Sequence, residues 1–209
     1  MKKSVLLSAV LLLALSGVAS AYSINYLSST DSNGGLTTPY SDVRIETFDK
    51  PLIFTWSGNG VIEQGSVVNH NKAPSNGAVS DTTKYMSVPD NLYGLPTQTK
   101  VADLGGFSTY LGLWWGSVDT YNTLSFFNGA TKVAEFTGAD ILLPANGTIS
   151  TYVNFLDMPA FDSFAMTSTH YAFEADNIAV SAVPEPGTML LLGAGFLSLA
   201  IYGKRRRNG

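Results

Sequence analysis

Residues 22–182 of this chain are expected to fold as an all-β antiparallel sandwich. Short runs of alternating apolar and polar residues recur along the segment, the period of half-buried strands. Gly, Asn, Asp and Pro separate the runs at turn spacing. No stretch keeps a 3.6-residue apolar period for long enough to make a sizeable helix. The segment holds about 161 residues, the size of one domain, and can bury roughly 70% of its unfolded surface. The chain contains no cysteine, so disulfides, thiolate metal sites and thiol nucleophiles are all excluded.

The N-terminus opens with Lys2 and Lys3, continues with an apolar run from Val5 to Leu15, and ends in Ala19-Ser20-Ala21. These are the parts of a secretory signal peptide, residues 1–21, with cleavage expected before Tyr22. Residues 22–41 read as a loose arm, because 28–40 are polar and glycine-rich. Strands are expected at 43–48, 52–56 and 61–68, followed by a surface loop over 69–83. A further strand is expected at 85–88. Phe107, Leu111, Leu113 and Trp115 then share one parity, with Ser108, Tyr110, Gly112 and Trp114 on the other. Runs at 123–127 and 132–136 flank Asn128-Gly129, a strong hairpin signal. Ile149, Thr151, Val153 and Phe155 alternate again, as do Phe164 and Met166 against Ser163, Ala165 and Thr167. In the last strand the apolar residues switch from odd (Tyr171, Phe173, Ala175) to even positions (Ile178, Val180). Only an extra residue keeps both sets on the core side, which predicts a β-bulge near Asp176-Asn177.

The C-terminus, residues 183–209, has three parts in fixed order. In Val183-Pro184-Glu185-Pro186 the two prolines keep the backbone extended and open to a processing enzyme. The apolar run 188–202 would make a helix of roughly 22 Å, against a hydrocarbon core of about 30 Å. Gly193 and Gly195 weaken it further, so this single transmembrane helix is marginal and suits a transient inner-membrane anchor. Lys204, Arg205, Arg206 and Arg207 then act as a cytoplasmic stop, which leaves residues 22–182 outside.

This order resembles the PEP-CTERM sorting signal of exosortase-processed proteins. The resemblance implies a Gram-negative-type envelope, exosortase as a partner and frequent association with exopolysaccharide. A second resemblance rests on Trp114-Trp115-Gly116-Ser117-Val118-Asp119-Thr120-Tyr121-Asn122-Thr123-Leu124, on Phe173-Glu174-Ala175-Asp176-Asn177-Ile178 and on Thr83-Lys84-Tyr85-Met86-Ser87-Val88. Together these span most of 42–182 and are similar to a family of exosortase-dependent surface proteins. Such domains are similar to jelly-roll carbohydrate-binding modules, which makes the expected sandwich jelly-roll-like. No activity follows from this likeness.

The terminal basic clusters conceal the charge of the middle. Residues 22–182 carry six basic and fifteen acidic side chains, so a chain of net −4 has a domain near −9. That argues against nucleic acid and anionic lipid, and for divalent cations or neutral glycans. A bulge re-aims side chains, and Glu174, Asp176 and Asn177, with Asp49 from a neighbouring strand, are hard oxygen donors of the kind a structural calcium takes. The rival expectation is solvated edge residues and turn caps. Tyr110 and Trp114, on the non-core face, are candidates for a glycan-stacking platform unless a loop covers them. Asp119 and Asp162 are the candidates for a glycosidase-type carboxylate pair. No metalloprotease, nucleophile-elbow or phosphate-loop pattern occurs, so no catalysis is expected. The leading expectation is therefore an exported, non-enzymatic structural or adhesive protein of the cell surface or extracellular matrix. A calcium-stabilised carbohydrate-binding module is the alternative, and a polysaccharide hydrolase the least favoured.

Overall fold

The alternating segments pair into two antiparallel sheets that close on one apolar core. The computed structural model describes residues 22–77, 79–89, 97–145 and 149–181, together with Phe196. The signal-peptide residues Ala19 and Ala21, the sorting motif Val183–Pro186, the apolar run and the stop Lys204–Arg207 lie outside the described residues.

The strands, in chain order, begin with β1 (Ser23–Asn25), β2 (Ser29–Thr30), β3 (Leu36–Thr37), β4 (Val43–Glu46), β5 (Thr55–Gly58) and β6 (Val61–Gln64). Then come β7 (Ser75–Asn76), β8 (Val79–Ser80), β9 (Lys84–Val88), β10 (Gln98–Ser108) and β11 (Leu111–Gly116). After β12 (Asn122–Asn128) and β13 (Thr131–Thr137) a short helix, α1 (Gly138–Leu142), precedes β14 (Thr151–Leu156), β15 (Phe161–Ser168) and β16 (Phe173–Ser181). One sheet has the order β1-β14-β11-β16-β9-β6, with β4 also paired to β16; the other runs β13-β12-β15-β10-β5. All-β architecture is therefore the fold class. Among the described residues no helix is long and apolar enough to cross a membrane.

Parity builds the core. Leu111, Leu113 and Trp115 of β11 meet Val153 and Phe155 of β14, while Phe126, Phe161 and Phe164 enter from the other sheet. Trp115 lies flat on Phe173, ring centroids 4.3 Å apart. Asn128-Gly129 turns the β12–β13 hairpin, with Gly129 at φ +54°. The last strand carries the expected bulge: Gly112 faces Ala179 but Trp114 faces Asp176, so β16 has one residue more than β11 over that interval. Asn177 takes the irregular backbone at φ +48°, a left-handed conformation that asparagine tolerates better than most residues.

Several expectations need correction. Phe107 is exposed and belongs to β10, ahead of a turn, so it does not share the core with Leu111. The strand expected at 52–56 forms later, at β5, because Ile53 caps a turn by donating its backbone N–H to Glu46 (2.8 Å). Residues 22–41 are not a loose arm. Their first strand extends the larger sheet by pairing with β14, and the β2–β3 hairpin folds back over that sheet. The stretch 69–83 is likewise structured, with the β7–β8 hairpin and buried His70, Asn71, Ala73 and Asp81.

The arm is held by polar contacts, which explains why its apolar pattern is silent. Asn154 donates to the Asn25 side chain and to the Leu27 carbonyl, at 2.9 and 2.8 Å. Thr38 and Tyr110 share a hydroxyl contact of 2.7 Å, and Tyr110 donates onward to Asn154 at 2.8 Å. Gly35 closes the cover: a Cβ there would come within 2.9 Å of both the Trp114 ring and the Asp31 carboxylate. Gly35→Ala is accordingly expected to lower the thermal midpoint by several degrees and to change Trp fluorescence, for overpacking a tight site costs about 1–3 kcal/mol. An unchanged midpoint and spectrum would show the hairpin to be a loosely seated cover.

Candidate functional site

The bulge in β16 sets the chemistry of the non-core face of the larger sheet. Glu174 and Asp176 both point away from the core, yet both are about 1% exposed, because loops close over them. Each is then a carboxyl group held out of water, and burial disfavours its charged form.

Glu174 accepts the backbone N–H of Lys72 on Oε1 at 2.8 Å, and the Ser117 hydroxyl stands beside the carboxyl. Burial above all, with the charge of Asp119 added, pushes Glu174 up to about 8, against the pull of the Lys72 amide and the Ser117 hydroxyl. Asp176 lies beside Asp81. Thr83 donates both its N–H, at 2.8 Å, and its hydroxyl, at 2.5 Å, to Asp81 Oδ1, and the same hydroxyl lies 3.4 Å from Asp176 Oδ2. Among the described residues no other donor reaches the buried Asp81 Oδ2 or Asp176 Oδ1, so a hydrogen bond between the two carboxyl groups needs one of them protonated. Burial first, then the nearby charges of Asp81 and Asp49, push Asp176 up to about 9.

The calcium set does not assemble. Asp49 Oδ1 is used as the acceptor for the Lys84 N–H at 3.1 Å. Asn177 presents its amide nitrogen, donating to Asp31 at 3.1 Å and to the Leu36 carbonyl at 3.0 Å. Glu174 and Asp176 each serve a different loop. Among the described residues no group of three or more histidine, aspartate or glutamate side chains is placed to hold a metal ion. Glu174 and Asn177 instead tie the 66–72 loop and the β2–β3 segment to β16, while Asp49 holds the start of β9.

The stacking platform is also absent, although the parity that suggested it holds. Trp115 faces the core and Trp114 the opposite side, but Trp114 is 1% and Tyr110 6% exposed. The β2–β3 hairpin lies over that side, so neither ring can meet a sugar. Burial raises the Tyr110 hydroxyl to about 12. Asp119 and Asp162 stand at opposite ends of the β12–β15 pair. Asp119 accepts the Tyr121 hydroxyl at 2.8 Å, and Asp162 accepts the Gly129 amide at 2.8 Å. They are turn residues and form no pair across a substrate.

What the structure does bring together is a cleft of about 850 Å³ at one end of the sandwich. Three loops make it: 66–72 after β6, the turn between β11 and β12 with Ser117, Asp119 and Tyr121, and the turn between β15 and β16 with His170. Glu174 contributes from β16. Two aromatic pairs sit in its wall, His70 with Tyr171 and Tyr121 with His170, each with centroids 5.0 Å apart. The single Tyr121 hydroxyl proton is shared between Asp119 and the Tyr171 carbonyl, which ties the two turns together. Nothing in the linear sequence announced this cleft, since its residues come from segments far apart in the chain. The local signal that did exist was the bulge, which turned Glu174 outwards.

Residues 182–207 match the PEP-CTERM protein-sorting motif. That motif is associated with exosortase processing and implies export to the cell envelope. No curated protein and no solved structure matches the chain.

Proposed function

We propose that the chain is made as a precursor, held briefly at the inner membrane by residues 188–202, processed by exosortase and delivered to the cell surface or extracellular matrix. There it acts as a structural or adhesive, non-enzymatic protein associated with exopolysaccharide, on a sandwich of jelly-roll type. The observation that carries this reading is an adjacency. The last strand ends at Ser181 and the sorting motif begins at residue 182. The folded part therefore passes straight into its address. The domain charge near −9 supports a soluble surface layer rather than adhesion to nucleic acid or anionic lipid. The position of Asp119 and Asp162 at opposite ends of the β12–β15 pair supports the non-enzymatic reading.

The test is fractionation in a host that carries exosortase. Replacing Pro184, Glu185 and Pro186 together by alanine is expected to leave a longer precursor in the inner-membrane fraction, with the surface fraction depleted about tenfold or more, since an enzyme that recognises the motif loses several kcal/mol of contact. Unchanged processing and distribution would sink the proposal.

A further inference from the structure

The chain carries the same tripeptide, Asn-Gly-Ala, at two hairpin turns: Asn76-Gly77-Ala78 between β7 and β8, and Asn128-Gly129-Ala130 between β12 and β13. Asn76 pairs with Val79 and Asn128 with Thr131, so each turn has two residues, glycine and then alanine. Both glycines have positive φ, +62° and +54°, and both asparagines are exposed. An asparagine followed by glycine is open to self-modification, because the next backbone nitrogen can attack the side-chain amide carbon and glycine has no Cβ to obstruct it. Open space surrounds both glycines: a Cβ at either would meet nothing within 4 Å. Sequence and turn are therefore matched, and only the surroundings differ.

The reaction balances with water alone. A bond forms from the glycine nitrogen to asparagine Cγ, the Cγ–Nδ2 bond breaks, and ammonia leaves with the proton that the backbone amide gives up. Water then opens the cyclic succinimide at either carbonyl, leaving aspartate or isoaspartate. The glycine N–H must therefore be lost, and its nitrogen must swing onto Cγ. At the β12–β13 turn both partners are held. Gly129 donates its N–H to Asp162 Oδ2 at 2.8 Å, and Asn128 Nδ2 donates to the Ala160 carbonyl at 3.2 Å. A carboxylate is far too weak a base to take an amide proton, and its charge beside the nitrogen opposes an amide anion. At the β7–β8 turn no side chain among the described residues accepts the Gly77 N–H, and Asn76 Nδ2 reaches only the Gly34 carbonyl, at 3.4 Å.

We propose that Asn76 is a site of spontaneous deamidation and that Asp162 protects its counterpart, Asn128. Modification of Asn76 replaces a donor by a carboxylate facing the Gly34 carbonyl, so that link between the β7–β8 and β2–β3 hairpins is lost. The isoaspartate form also adds a methylene to the backbone of a two-residue turn. Either product adds a negative charge to a domain already near −9. None of this depends on the sorting reading: fractionation tests the one and peptide mapping the other, so either can fail alone.

The test incubates the folded full-length protein in detergent at mildly alkaline pH and maps its peptides by mass. Cleavage after lysine puts Asn76, as the sole asparagine, on residues 73–84, and Asn128 on residues 101–132. Asn76 is expected to convert at least about tenfold faster than Asn128, the ratio that one charge-assisted hydrogen bond supplies. In urea, where both turns are lost, the two rates should converge to within about threefold. Asp162→Ala is expected to speed Asn128 by about tenfold and to leave Asn76 unchanged. Should that variant not fold, the ratio of the two sites in the parent, folded against urea, decides alone. Equal rates in the folded parent, or a faster Asn128, overturn the proposal. So does a ratio that persists in urea, or an Asn128 that stays slow in folded Asp162→Ala.

Discussion

Asp176→Asn is expected to raise the melting midpoint at pH 8 and to flatten the pH dependence of stability. Asp176 is ionised in the unfolded chain above about pH 4, whereas in the folded protein it is held protonated up to about 9. A folded-state value raised in this way brings no penalty below pH 4, where both states are protonated. From there stability falls continuously as pH rises towards 9. Glu174, raised to about 8, acts in the same direction over a slightly narrower window. At pH 7 the Asp176 contribution is on the order of 4 kcal/mol. Asparagine keeps a donor for Asp81, as the protonated acid does, and has no proton to lose. A rise of roughly 10 °C follows for a domain of this size. Thermal melts of the parent and Asp176→Asn between pH 4 and 9 read this directly. A parent whose midpoint rises with pH over that range would refute it. So would a midpoint that rises on adding calcium, because a cation held by Asp81 and Asp176 would make the ionised pair the stable one.

Trp115→Ala is the largest loss expected. Trp115 is fully buried and stacks on Phe173 at 4.3 Å, with the rings 9° from parallel. Truncating a buried aromatic of this kind costs about 3–5 kcal/mol, and the stacked pair adds about 1 more. Whole domains have only about 5–15 kcal/mol in reserve, and a chain without cysteine has no covalent staple to fall back on. A drop of at least 10 °C, or no soluble folded protein, is expected from a melt and a urea titration. Trp115→Phe should keep most of the stability, because among the described residues the indole N–H has no hydrogen-bond partner to lose. A Trp115→Ala protein that melts with the parent would mean that the two sheets do not depend on this contact.

The local features of the fold could be read from the sequence because each depends on neighbours in the chain. The parity of Leu111, Leu113 and Trp115 marks a core face, Asn128-Gly129 marks a hairpin, and the switch of parity after Ala175 marks a bulge. The cover over Trp114 could not be read in this way. It depends on Gly35 leaving room for the indole and on Thr38, Asn25 and Asn154 finding one another across more than a hundred residues. Polar residues that are exposed in a loop and polar residues that satisfy one another under a hairpin look the same in a sequence. For that reason Tyr110 and Trp114 read as a surface platform when they are the floor of a sealed layer. Glu174 and Asp176 posed the same difficulty: their outward parity was visible, while Asp81, Lys72 and the loops that bury them were not. The cleft is the extreme case, since three separate turns must meet before it exists.

The position of β16 has a mechanical consequence. It is the last strand before the sorting motif, yet it lies inside its sheet, with β11 along one flank and β9 and β4 sharing the other. A pull on the C-terminal end therefore loads both rows of interstrand hydrogen bonds lengthwise, in shear, and all must strain together before the strand can slide. An edge strand such as β1 would peel one bond at a time. Placed where this chain puts it, the exit strand makes the domain strong along the one direction in which a surface attachment would tug it.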